Sequence, residues 1–294
     1  MASIVYSVFV LCGRWSLMSF RIAVAAVQTI TLLFLVQHHS GMSAFINSAG
    51  PLINEAARNA RAGAQVKPAM PLTNGGAIEG KRVKLFAMNV DRDAHELYEA
   101  SNGRSYGIDK QPQAYDAEAL IWRFMFWGPF ASEQEFAKTY REQCAIPNMA
   151  PLVIFDKKLQ RKVGVACYSN NDPGALRIEL GGIWLSPEVQ GTSVNTEAIY
   201  LLLQFAFDGL GYQRVEWKCD ARNLRSREAA LKLGFKLDGI FPKHMIIKGR
   251  HRDTAWYGMV IDDWPAVKLH LLAKLAKMER LSSRQKSLGI ASKL

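Results

Sequence analysis

The chain has 294 residues, 49% of them hydrophobic, 21% charged and 10% aromatic, with a formal net charge of +11. That balance supplies enough apolar material for a sizeable core and excludes a disordered tail protein, a collagen-like fibre and a coiled-coil rod. The charge is unevenly spread: residues 1–69 carry +4, residues 266–294 carry +6 and the stretch between carries +1. A strongly basic surface on the core is therefore not implied, and neither is a nucleic-acid partner.

The first 54 residues contain no Asp or Glu, and 22–36 is a nearly unbroken apolar run preceded by Arg14 and Arg21. Fifteen helical residues rise about 22 Å, short of a ~30 Å hydrocarbon core. Three readings stay open. One is a signal-like or tilted membrane anchor through 1–40, and another is an acid-free transit peptide that would send the protein to mitochondria. The third is a segment outside the working protein, which would leave the protein cytoplasmic. Membrane contact is expected only through 1–40. Residues 40–80 read as linker with a short helix around 55–61. The expected organisation is a targeting, anchor or non-domain segment with linker at 1–69, a folded domain at 80–275 and a basic tail at 276–294.

From residue 81 the periodicity becomes regular. Val83 and Leu85 alternate with Lys as in a strand. Residues 91–100 have helical spacing, with Asp91 placed to cap them, and Ser-Glu-Gln-Glu at 132–135 opens a helix to 145 with a capping-box pattern. Residues 152–155, 162–169 and 175–185 read as strands, the last two joined by a turn at 170–174. Gly181-Gly182 inside the third marks a bulge or a close approach to the backbone. A helix over 194–210, capped by Asn195 or Thr196, is followed by strand 213–219, helix 224–233, strands 235–241 and 254–261, and a last helix at 265–277. This order of mixed elements with antiparallel hairpins makes an α+β domain. Cys12, Cys144, Cys167 and Cys219 stand far apart with no CxxC pair, so reduced thiols are expected, with no disulfide framework and no metal site.

The strand ending Ile183-Trp184-Leu185 runs into a small-residue loop, Gln190-Gly191-Thr192-Ser193-Val194-Asn195, that opens directly into a helix. The first turn of a helix offers unpaired N–H groups and the positive end of the dipole, which suit phosphate. The loop lacks a P-loop Lys and is not GxGxxG, which argues against a triphosphate or dinucleotide.

These residues resemble motif A of the GNAT superfamily of acetyl-CoA-dependent N-acetyltransferases, whose pattern is Gln/Arg-x-x-Gly-x-Gly/Ala. The series Arg214–Cys219, Asn223-x-x-Ser226 and Leu233-Gly234-Phe235 resembles motif B of the branch related to ribosomal-protein alanine acetyltransferases. Lys248–Tyr257 is also similar to that branch. The resemblance spans roughly 80–275 and implies a GNAT-like mixed, mostly antiparallel twisted sheet, flanked by helices and with splayed central strands. It implies acetyl-CoA as co-substrate, no metal, and an amine acceptor that is a small molecule or a protein N-terminus. The implied coenzyme contacts are Ile183, Trp184, Leu185, Gln190, Gly191, Thr192, Ser193, Val194, Asn195, Asn223 and Ser226. Three positions depart from the pattern: Ser193 replaces Gly, Asn195 replaces Gly or Ala, and Ala230 stands where members often carry a Tyr. These departures motivate the alternative of a CoA-binding sensor or partner module without catalysis.

Amine attack on a thioester needs oxyanion donors, which the backbone after the bulge can supply, and a proton acceptor for the ammonium. Glu179 is the first candidate, and a Glu paired to Arg177 or Lys218 is the competing reading. Asp253, Glu216 and His244 are lesser candidates. The aromatic run Trp122–Trp127 is a candidate acceptor wall, and Arg250-His251-Arg252 reads as a solvated turn, with an acceptor-side or phosphate-side patch as the alternative.

Overall fold

The structure, a computed structural model, describes residues 76–106 and 112–287. The apolar run at 22–36, the helix expected around 55–61 and the end of the basic tail lie outside the described residues.

Eight strands form one sheet in the order β1-β2-β5-β6-β7-β8-β10-β9. They are β1 (Ala77–Glu79), β2 (Val83–Ala87), β5 (Ala150–Asp156), β6 (Arg161–Asp172), β7 (Arg177–Leu185), β8 (Arg214–Asp220), β9 (Lys236–Ile247) and β10 (Arg250–Val260). Short strands β3 (Arg104–Tyr106) and β4 (Pro112–Ala114) pair separately. Every neighbouring pair in the large sheet is antiparallel except β7 and β8. Helices α1 (Val90–Glu99) and α2 (Glu133–Ala145) pack with one core cluster, while α3 (Ser193–Gln204) and α5 (Trp264–Ser287) contribute to the other. The α+β class and the mostly antiparallel sheet agree with the sequence reading.

Both faces of the central strands are covered, which explains why β6 is apolar nearly without a break. Ala166 and Tyr168 belong to the cluster of α3, Val165 and Cys167 to that of α1 and α2. A strand buried on both faces needs no polar alternation. Nearly every residue of α3 is buried as well, as expected of a helix enclosed on all sides.

Local chemistry sets the helix ends. Ser132 caps α2 by accepting from Glu135 N–H at 3.2 Å, and the Glu135 carboxylate accepts from Ala131 N–H at 2.8 Å. The cap of α1 is Asn89, not Asp91: Asn89 is extended and its Oδ1 accepts from Arg92 N–H at 3.1 Å. Asp91 already lies inside the helix and meets Arg141 at 2.6 Å. Helix α5 runs ten residues past the expected end because no Gly or Pro occurs between 266 and 287. Arg280 and Arg284 thus lie on this helix. Among the described residues no helix is long and apolar enough to cross a membrane.

Candidate active site

β7 and β8 are paired in parallel only over 177–179 against 214–216. Beyond Glu179 they separate. On its other side β7 stays paired to β6, but the register shifts: Val165 faces Trp184 while Cys167 faces Gly181, so β7 carries one extra residue. Gly182 absorbs it at φ +58°, and a Cβ there would stand 3.0 Å from Cys167 Sγ. Glycine is required here by both conformation and space. The divergence opens a cleft of about 290 Å³. One wall is 180–185 with Gln190, Gly191 and Asn195; the other includes Trp217, Lys218, Cys219, Asn223 and Ser226.

The residues singled out for coenzyme contact divide into two groups. Ile183, Trp184, Leu185, Gln190, Gly191, Asn195, Asn223 and Ser226 line the cleft. Trp184 does so with its backbone, since its ring is buried beside Trp122 and its Nε1 donates to Tyr140 Oη at 2.7 Å. The Gln190 amide donates to Leu185 O at 2.9 Å and so ties the loop to the strand. Gly191 has φ +77°, and no atom lies within 4 Å of where its Cβ would be. Thr192, Ser193 and Val194 do not turn their side chains to the cleft. Val194 is buried in the core, and Ser193 Oγ accepts from Arg82 Nη1 at 3.1 Å. Thr192 is the cap of α3, with Oγ1 accepting from Val194 N–H at 3.3 Å and donating to Val189 O at 2.7 Å. The expected caps, Asn195 and Thr196, are already within the helix, whereas Thr192 has the extended backbone that a cap needs. The first turn of α3 therefore opens at the end of the cleft formed by β7.

Asn223 caps α4 (Leu224–Lys232), its Oδ1 accepting from Ser226 N–H at 3.1 Å. Ser226 Oγ accepts from Trp217 Nε1 at 3.0 Å, and its hydroxyl also hydrogen-bonds the Cys219 thiol. Ala230, where a Tyr was considered, is fully buried.

Glu179 sits at the last paired position of the parallel strands and is nearly buried. Its Oε2 accepts from Lys218 Nζ at 2.7 Å and from Asn170 Nδ2 at 2.6 Å. The pairing with Lys218 is the one that the sequence offered as the competing reading. Glu216 accepts from Arg214 at 2.9 Å and also meets Lys218 at 3.1 Å. Burial pushes the Glu216 carboxyl up, but the bonds from Arg214 and Lys218 more than offset this and hold it below its ordinary value. Asp253 accepts from Lys243 N–H at 2.7 Å, and His244 Nδ1 lies 3.0 Å from Thr254 Oγ1, so both brace the β9–β10 hairpin. Burial raises the Cys219 thiol, and no base accompanies it.

The aromatic run splits. Trp122 is core, while Phe124, Met125 and Phe126 line the cleft. The turn expected at 250–252 is instead the start of β10: Arg250 and His251 are exposed, but Arg252 is only 4% exposed and lines the cleft. Its parity with buried Thr254 was the available signal, because alternate residues of a strand share a face. Lys218 was read only as a partner for Glu179. It lines the cleft and its Nζ stands 3.8 Å from the Trp256 ring centroid. Among the described residues no group of three or more His, Cys, Asp or Glu is placed to hold a metal.

Comparison with known proteins follows this geometry. Residues 92–236 match the family model of the acetyltransferase (GNAT) domain. A solved GCN5-related N-acetyltransferase from Brucella melitensis is 33% identical, with TM-score 0.63 over 70% of this chain and 87% of its own. "Putative ribosomal N-acetyltransferase YdaF" of Bacillus subtilis is 28% identical over 152 residues, 48% of this chain and 80% of that protein. The ribosomal-protein-serine acetyltransferase of Escherichia coli is 26% identical over 100 residues, 34% of this chain and 55% of that one. With a mostly antiparallel sheet whose parallel pair parts at a bulge, and a relative one-third identical along most of its length, this chain belongs to the GNAT family of acetyl-CoA-dependent N-acetyltransferases.

Proposed function

We propose that the enzyme acetylates a primary amine by direct attack on acetyl-CoA within a ternary complex, the acceptor being a small amine or a protein N-terminus. The observation that carries this reading is the continuity of β7 with α3: a strand released from its partner after residue 179 leads, through Gly191, to an open helix N-terminus. The pantetheine arm pairs with the freed backbone of 183–185, and the diphosphate rests on the amides that begin α3. Ser193 contributes its N–H, while its Oγ accepts from Arg82. This supports tolerance of a side chain where the family pattern has Gly.

In the transfer, the amine lone pair attacks the thioester carbonyl carbon and a C–N bond forms. The carbonyl oxygen gains charge and is met by backbone N–H groups beside the bulge. Collapse breaks the C–S bond, and the electron pair leaves with sulfur as thiolate, to which Ser226 donates a hydrogen bond by turning its hydroxyl from Cys219. The ammonium first loses one proton through water to Glu179, whose orientation is fixed by Lys218 and Asn170, and the second proton, shed by nitrogen as the adduct collapses, passes through water to the departing thiolate. Cys219 forms no acyl intermediate, because its thiol is raised by burial and lacks a base. The names of the Bacillus and Escherichia relatives support a ribosomal protein as one acceptor class.

Calorimetry with acetyl-CoA on the full chain, followed by thiol release over a panel of amines, tests the reading. Saturable binding with turnover on one or more primary amines is expected. Absence of any heat would remove the coenzyme site, and binding without release of thiol would remove the transfer.

A further inference from the structure

The smaller cleft opens into a second one of about 720 Å³, walled by 116–124, the start of α4 and the tip of the β9–β10 hairpin. Arg252 lines both. Its guanidinium is buried, its Nε has no hydrogen-bond partner, and among the described residues no ion pair reaches it. Its nearest defined contact is the Phe126 ring, 5.1 Å from Cζ. Burying a charged group without a partner is costly, so such a group is seldom kept where nothing uses it. Burial does push this guanidinium below its ordinary value, against the pull of Asp220, Cys219 and Glu179.

The rest of the larger cleft points the same way. Its three carboxylates are already engaged: Asp220 by Arg222 at 2.7 Å, Glu118 by Lys248 at 3.4 Å, and Asp116 by the N–H of Ala119 at 2.9 Å. Arg123 and Arg250 line it without an ion pair among the described residues. Gly191 and Asn195, at the phosphate end, line only the smaller cleft. The excess positive charge thus lies away from the loop assigned to the diphosphate, although Asn223, implied as a coenzyme contact, lines both clefts.

From this geometry we infer that the acceptor is an anionic amine, carrying a carboxylate or a phosphate near its amino group, and that Arg252 binds that anion. The planar fork of an arginine suits either group with two parallel hydrogen bonds. A site that holds a buried donor without a partner also rejects acceptors that leave it unpaired. This inference rests on the acetyl-transfer reading above, and Arg252 acts as a specificity determinant within it.

The test uses the full chain and matched amines that differ only in the anion: aspartate α-amide against asparagine α-amide, and phosphoethanolamine against ethanolamine. At least one anionic member should exceed its neutral partner in kcat/KM by about tenfold or more, the two pairs separating carboxylate from phosphate. Arg252→Gln should bring that ratio towards one while the Kd for acetyl-CoA stays within about twofold of wild type; Arg252→Lys, which keeps the charge without the fork, should retain an intermediate ratio. Equal use of charged and neutral amines by the wild type overturns the inference. So does an Arg252→Gln variant that loses coenzyme affinity but keeps its acceptor preference, since the guanidinium would then serve the coenzyme. Should no amine turn over, calorimetry of the same pairs with the CoA-loaded protein reads recognition directly. Anion-selective heat would sustain the inference while removing the transfer, and heat from neither or from both members alike would end it.

Discussion

Lys218 Nζ lies 2.7 Å from Glu179 Oε2, bridging the parallel strands at the point where they begin to part. The same ammonium reaches Glu216 at 3.1 Å, so removing the Glu179 charge does not strand it. This makes Glu179→Gln a clean probe. Without a proton acceptor, attack must wait for amine already neutral in solution, a fraction that falls tenfold per pH unit below the amine pKa. The variant should therefore lose most activity at low pH and approach wild type as pH nears the amine pKa. A loss of equal size at every pH, read from kcat/KM profiles, would assign Glu179 a purely structural place.

Gly191 and Gly211 offer a matched pair. Both have positive φ, +77° and +73°, and neither would meet an atom within 4 Å if given a Cβ. Substitution by Ala should cost each about 1–2 kcal/mol of backbone strain. Only Gly191 lines the cleft. Gly191→Ala is expected to raise the Kd for acetyl-CoA by about tenfold, by intruding where the diphosphate rests. Gly211→Ala should lower the melting temperature comparably with little change in affinity. Calorimetry and thermal unfolding of both variants check this, and equal effects on affinity would detach Gly191 from the site.

The contrast between these glycines bears on what could be read from sequence. Gly181-Gly182 within an apolar run signalled the bulge, and the loop after it signalled a helix start, because both depend on residues adjacent in the chain. The helices at 132–145 and 224–233 were visible for the same reason. Cap identities were harder: Asn89 and Thr192 outcompeted their neighbours through an extended backbone, and φ is not written in residue type. Arg252 read as part of a solvated turn for a different reason. Phe126, whose ring lies 5.1 Å from the Arg252 Cζ, is over a hundred positions away, and charge alone favours solvent. The partners of Glu179 were weighed correctly, but the sequence did not show that Lys218 also stacks on Trp256.

Tyr140 supports the cleft from behind. Its hydroxyl accepts from Trp184 Nε1 at 2.7 Å, and its ring is 4.6 Å from that of Phe136. Burial pushes the phenol far above its ordinary range, so it takes no part in proton transfer. Tyr140→Phe leaves the indole donor buried and unpaired, at a cost of about 1–3 kcal/mol. For a domain of this size that corresponds to a loss of roughly 2–4 °C in Tm per kcal/mol. Urea denaturation should show a lower midpoint with an unchanged slope. A midpoint equal to wild type would mean that the indole finds another partner.

Glu216 links the same network to pH. Its carboxyl is 4% exposed on the side chain and is held by Arg214 and Lys218, and its pKa in the folded state lies below the reference 4.5. The first effect of burial is to raise that value, yet the two cations win. Because the folded value is the lower one, the unfolded chain binds the proton more readily, and stability must fall as acid is added. The contribution is complete above the unfolded value and disappears as pH drops through the folded one. Asp220, held by Arg222, and Asp93, held by Arg92 and Lys162, are shifted in the same direction. The contribution of these three carboxylates to the unfolding free energy should thus be nearly flat from neutrality to about pH 5 and decline below it. Glu216→Gln should start lower at neutral pH, since Arg214 loses a charged acceptor, and then decline less steeply under acid. A variant whose acid limb parallels that of wild type would show that Glu216 is not among the carboxylates whose protonation opens the fold.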